Sequence, residues 1–246
     1  MTNSRMGRVL PDVAPADVPL VAALLATTDA FGDGALDVVA FQDRVLGILR
    51  DDPPAAALAP WIARALETRE DGVLSRRALA ERDDTIQVIH VAEGEVHPCH
   101  CHHNVTSTQV LLTGRLEARE FDRVAHAGPD AMRLRLLYDG PMRPGDILQA
   151  RDGARNAHWF AAVGGPATIL NFNIRGYEAD TFYPAATRPL GRRLLDATRA
   201  DDDGLILARV IGVEEAYARF GRTPLSAFPM PVAAVDSVPR SLGRAA

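Results

Sequence analysis

His97-Pro-Cys-His-Cys-His-His103, followed by strand-like sequence and then Gly114, decides the reading of this chain. His100 and His102 lie two positions apart, so on a strand both rings project to the same face. Downstream, Pro144-Gly-Asp-Ile147 leads after a gap to Asn156-Ala-His158-Trp-Phe160. His158 on a second strand would complete three imidazoles around one metal inside a small β-barrel. Three neutral ligands on a divalent ion leave coordination positions open, so chemistry can occur there. His97, Cys99, Cys101 and His103 have the opposite parity and are expected to point away from that metal. Side chains this close on one strand rarely converge, so a separate soft-metal site is not expected from these four.

Outward from the histidines, residues 85–91, 96–102, 108–112, 116–121, 132–138, 146–149, 158–163 and 168–174 read as short strands punctuated by Gly and Pro. That density indicates an antiparallel barrel or jelly roll. Residues 14–29, 36–49 and 55–66 carry apolar residues at helical spacing, and 76–82 suggests a short fourth helix. Residues 191–198 and 205–220 also read as helical, and 224–246 as a loosely packed tail. The division expected is 1–82 N-terminal helical region, 83–184 barrel, and 185–246 C-terminal helical extension and tail. The fold class is mainly β with helical extensions.

The bulk composition excludes several classes. The 246 residues carry a net charge of −5, with 47% hydrophobic and 24% charged residues, as an ordinary globular protein does. No basic stripe suggests nucleic acid, and no apolar run suits a bilayer. The N-terminus lacks the apolar core of a signal peptide, so a cytoplasmic location is expected. The two cysteines, Cys99 and Cys101, lie two apart on one strand, where their Cα atoms sit at or beyond the usual limit for a disulfide.

The spacing of Gly94, His100, His102 and Gly114 resembles the first motif of the cupin superfamily. Where most cupins carry a glutamate ligand, seven residues before the last glycine, this chain has Ser107. Serine is a poor metal ligand, so three histidines remain. The longer pattern is similar to the cysteamine dioxygenase and plant cysteine oxidase family of thiol dioxygenases, over roughly residues 84–184. It runs through residues 96–102, 111–114, 120–122, 144–148, 156–160 and the strand that ends at Gly176-Tyr177. The resemblance implies a cupin barrel with Fe(II) held by His100, His102 and His158. It implies addition of both atoms of O2 to the sulfur of a small thiol, or of an N-terminal cysteine, giving a sulfinic acid. It places Tyr177 near the substrate pocket, and Asn171 where the family tends to carry an aspartate. An asparagine orients a substrate amine only weakly. Gln109 shares the inward parity of Ser107 and is a candidate to hydrogen-bond a ligand. Arg119, Arg155 and Arg175 are candidates to hold a substrate carboxylate.

Two other readings share the metal face. One is a three-histidine cupin dioxygenase that cleaves a carbon–carbon bond of a diketone or hydroxylated aromatic. The other is a non-enzymatic metal- or ligand-binding cupin whose helical region relays its state to a partner. An all-imidazole site also accepts Ni, Zn, Mn or Cu. A homodimer through barrel or helical surfaces is compatible with the sequence.

Overall fold

The computed structural model describes residues 17–79, 82–152, 154–176, 191–236 and 238–242. Helices come first: α1 (Pro19–Gly32), α2 (Val38–Asp51), α3 (Pro54–Ala57) and α4 (Ala59–Thr68). Pro19 opens α1, and the Asp37 side chain caps α2 by accepting from the Ala40 N–H at 2.8 Å. The helix expected over 55–66 is divided at Leu58. Pro60 has no N–H to give the preceding turn and its ring crowds that turn's carbonyl, so the helix must restart.

Eleven strands follow before a short helix and a final pair of residues: β1 (Gly72–Leu79), β2 (Arg82–Val91), β3 (Val96–His103), β4 (Val105–Thr113), β5 (Leu116–His126), β6 (Ala131–Met142), β7 (Asp146–Ala150), β8 (Ala157–Ala162), β9 (Ala167–Arg175), β10 (Gly191–Asp196), β11 (Ile206–Ile211), α5 (Val213–Phe220) and β12 (Arg240–Ser241). They form a six-stranded sheet in the order β1-β2-β9-β4-β7-β12 and a closed barrel in the order β10-β11-β6-β5-β8-β3. Among the described residues all pairings are antiparallel. This is a jelly-roll arrangement, mainly β with helices at both ends.

Three apolar cores separate the layers. Alternate residues of the open sheet, among them Ile86, Val88, Val110 and Leu170, pack under α1, α2 and α4. Their neighbours Val91, Leu111 and Ile169 face the other sheet and meet Phe160 and Ala162. On the far side of β8, Ala157, Trp159 and Ala161 join Cys99, Cys101, Phe121 and Leu195 inside the closed barrel. A strand buried on both faces follows from this layering.

Three expectations are corrected. The described part of 76–82 is not helical: β1, which ends at Leu79, pairs with β2, which starts at Arg82, and Arg77 bridges its register partner Asp84 and also Asp29 of α1. Gly191–Asp196 and Ile206–Ile211 are strands, and only Val213–Phe220 of that region is an α-helix. In β11 the buried Ile206 and Ala208 alternate with the exposed Leu207 and Arg209, a period of two that outweighs helical propensity once β6 supplies a partner. The described residues of the C-terminal stretch, 224–236 and 238–242, are packed rather than loose. Leu225 is buried, Phe228 and Met230 pack on the barrel core, and Arg240 pairs with Ile147.

Candidate metal centre

His100 and His158 are direct partners across the β3–β8 ladder, and His102 lies one pleat further along β3. Their ring centroids are 5.1 Å (His100–His102), 4.4 Å (His100–His158) and 4.9 Å (His102–His158) apart. One ligating nitrogen from each lies within 4.8 Å of the others, and all three residues are buried. His102 Nε2 and His158 Nε2 approach to 3.4 Å. Two bonds of about 2.1 Å meeting near a right angle would place such nitrogens roughly 3 Å apart. His100 Nδ1–H donates to the Pro98 carbonyl at 2.9 Å, which leaves the Nε2 lone pair for a metal.

Burial pushes all three imidazoles toward the neutral form a metal requires. The His102 value falls to about 3 through burial first, then the positive charge of Arg192 and the proximity of His103. His100 is lowered by burial, then by His158, Arg192 and His102. His158 is lowered by burial, then by His102, His97 and Arg192. His158 Nδ1 is buried with no hydrogen-bond partner. The donor set, its spacing and its neutrality fit a divalent metal with imidazole preference.

A bulge in β3 makes the arrangement. His97 pairs with Phe160 and His100 with His158, so the three-residue step along β3 spans a two-residue step along β8. Pro98 occupies that irregularity, where its missing N–H breaks no ladder bond. The extra residue flips the parity of everything before it. His97 therefore shares the face of the metal histidines, not that of Cys99 and Cys101 as strict alternation implies. Its ring stacks on Phe160 at 4.5 Å.

His103 does face away, and it is held in a buried chain. Arg123 Nη1 donates to His103 Nδ1 at 2.9 Å, so the ring proton sits on Nε2, 3.1 Å from Cys101 Sγ. The Cys101 thiol in turn points at the Arg193 carbonyl at 3.8 Å. Asn156 closes the end of the site: its side-chain amide donates to the His102 and Arg151 carbonyls at 2.7 and 3.0 Å.

Opposite the histidines, Gln109 and Asn171 are register partners on β4 and β9, and Gln109 Nε2 donates to Asn171 Oδ1 at 3.1 Å. Ser107 pairs with Asn173 in the same ladder. These four share the parity of Leu111 and Ile169, which pack between the sheets. Ser107 Oγ, Gln109 Oε1 and Asn173 Oδ1 are buried without partners. Asn173 was not singled out by the sequence, though its alternation with Asn171 was there to see. Tyr177 lies outside the described residues.

None of the three arginines expected to hold a carboxylate is free to do so. Arg119 is buried, bonded to Asp139 and to the Leu225 carbonyl, and lies over Trp159. Arg155 bridges Glu120 and Asp236, and Arg175 pairs with Asp83. The cation near the site is Arg192, the β10 register partner of His102. It escaped notice because its segment reads as a helix in isolation.

No family model matches the chain, and no curated protein matches it. Among solved structures, the chain is similar to an oxalate oxidase, with 19% identity and a TM-score of 0.29 over 38% of this chain and 42% of that one. It is similar to an uncharacterised conserved protein with a double-stranded β-helix domain from Klebsiella pneumoniae, with 19% identity and a TM-score of 0.29 over 43% and 72% of the two chains. It is also similar to procruciferin, an 11S globulin from Brassica napus, with 10% identity and a TM-score of 0.28. That match covers 39% of this chain and spans only 21% of the globulin.

Proposed function

We propose that this protein is a mononuclear non-haem iron dioxygenase that oxidises a small thiol, or an N-terminal cysteine, to a sulfinic acid. The observation that supports the reading best is the ligand set itself: three buried, neutral imidazoles grouped without a carboxylate, with Ser107 on the facing sheet. Fe(II) bound there would keep its full charge, favour the thiolate form of a substrate and make electrons available to O2.

The chain's own residues do the rest. Pro98 fixes the tautomer of His100, and Asn156 holds the end of β3 that carries His102. Ser107, Gln109 and Asn173 offer hydrogen-bonding atoms on the facing sheet, where a substrate lies between the layers. Phe160 and Leu111 close the inner end with apolar surface and exclude bulk water. The reaction places both oxygen atoms on sulfur, sulfur supplies all the electrons O2 accepts, and the thiol proton ends on the sulfinic acid or in solvent.

Oxygen uptake by the Fe(II)-reconstituted protein tests this, across cysteamine, cysteine, 3-mercaptopropionate and an N-terminal-cysteine peptide. The expected result is uptake with one of them, a product heavier by two oxygen atoms, and loss of both in His158→Ala. No uptake with any thiol, at full iron occupancy, would favour the carbon-cleaving or binding-only readings.

A further inference from the structure

We infer that Arg192 recognises an anionic end of the substrate, so that the pocket takes a thiol that also bears a carboxylate. The inference rests on the thiol-oxidising reading for the sulfur, but its charge argument stands on separate observations. Arg192 lies directly opposite His102 in the β10–β3 ladder, and directly opposed residues of an antiparallel pair project from the same face. Its side chain is exposed and, among the described residues, makes no hydrogen bond or ion pair. Every arginine expected to bind a carboxylate is already engaged by an acid, as described above. An arginine without an acid partner beside a polar pocket is a ready fork for a carboxylate.

The charges around the histidines point the same way. Among the described residues, Arg192 stands opposite His102 without an acid partner, whereas Glu120, opposite His158, is already paired with Arg155. Asn171 on the facing sheet carries no charge, and its Oδ1 already accepts from Gln109. A cationic amine would therefore meet Arg192 at the rim, while the carboxylate on that face, Glu120, the register partner of His158, is already engaged by Arg155 and the Gln149 N–H. A carboxylate would find Arg192 at the rim, while Ser107, Gln109 and Asn173 remain available to hydrogen-bond the body of the substrate.

The test uses full-length protein loaded with Co(II), whose absorption spectrum reports ligand binding without turnover. Two pairs of matched ligands are titrated: 3-mercaptopropionate against cysteamine, and 3-hydroxypropionate against ethanolamine. Wild type should bind the carboxylate of a pair on the order of tenfold more tightly than the amine. Arg192→Gln should lose that preference with Co(II) stoichiometry unchanged, and Arg192→Lys should keep part of it because charge survives without the planar fork. A preference that persists in Arg192→Gln, or that is absent from both pairs in wild type, overturns the inference. If only the sulfur-free pair binds, with a preference that depends on Arg192, the anion site stands and the thiol reading falls.

Discussion

His100 and His158 face each other across the β3–β8 ladder with ring centroids 4.4 Å apart and planes at 83°. The backbone pairing, not a flexible loop, sets that approach, so the two nitrogens are held before any metal arrives. Replacing His100, His102 or His158 with Ala should weaken Co(II) or Fe(II) binding by more than the roughly 10–100-fold that losing an outer hydrogen-bond partner costs. The far-ultraviolet spectrum should stay that of a β protein. Titration calorimetry checks this, and a variant that binds metal as wild type does would remove that histidine from the site.

The residues that announce the site were readable because strand periodicity is local. His100, His102 and His158 needed only alternation and a turn signal, and the eight strands expected over residues 85–174 are all present, several of them longer. What was not readable depends on partners far away in the chain. The face of His97 turns on one bulge at Pro98, which only the β8 register reveals. The strands β1, β10 and β11 extend the two sheets, and each looks helical until its neighbour is known. Arg192 comes beside the histidines only through its pairing with His102.

Acid should destabilise the metal-free protein through its buried histidines. The folded chain holds His102 at about 3 against an ordinary 6.5, so between those values the unfolded chain binds more protons. Stability then rises with pH through that window and falls as pH drops below 6.5. At pH 5 His102 alone should cost about 2 kcal/mol relative to pH 7, and His100 and His158, also lowered, add in the same direction. Bound Co(II) also holds the folded imidazoles deprotonated, so it leaves that slope unchanged and adds stability at both pH values. Urea unfolding at both pH values, with and without metal, measures the difference; a metal-free protein as stable at pH 5 as at pH 7 would contradict the argument.

Arg123 ties three elements together from inside the fold. It donates to His103 Nδ1 at 2.9 Å and to the Asp152 carbonyl at 3.2 Å, and it is almost fully buried. Arg123→Met keeps the apolar stem but strands both acceptors, which predicts a loss of about 2–4 kcal/mol. The cost should appear as a lower urea midpoint with unchanged slope. Metal stoichiometry at low urea should be retained, because His103 faces away from the three ligating rings.

Gly114 sits where no side chain fits. Its φ is +81°, and an added Cβ would lie 2.5 Å from the Pro166 carbonyl oxygen and 2.8 Å from Ala167 Cα. Both obstacles are backbone, at the start of β9, so neither can swing away as a long side chain would. Gly114→Ala combines a left-handed backbone penalty of about 1–2 kcal/mol with an overpacking cost of about 1–3 kcal/mol. The Ala167 end of β9 must shift to relieve the contact, and β9 carries Asn171 and Asn173 on the face toward the metal histidines. Gly114→Ala should therefore unfold at lower urea and also bind matched ligands of the Co(II) protein less tightly. Gly164→Ala is the control: its φ is +70°, but nothing lies within 4 Å of an added Cβ. It should show the backbone penalty alone and leave ligand binding unchanged. Equal losses in the two variants would mean that the close approach to Pro166 and Ala167 contributes nothing.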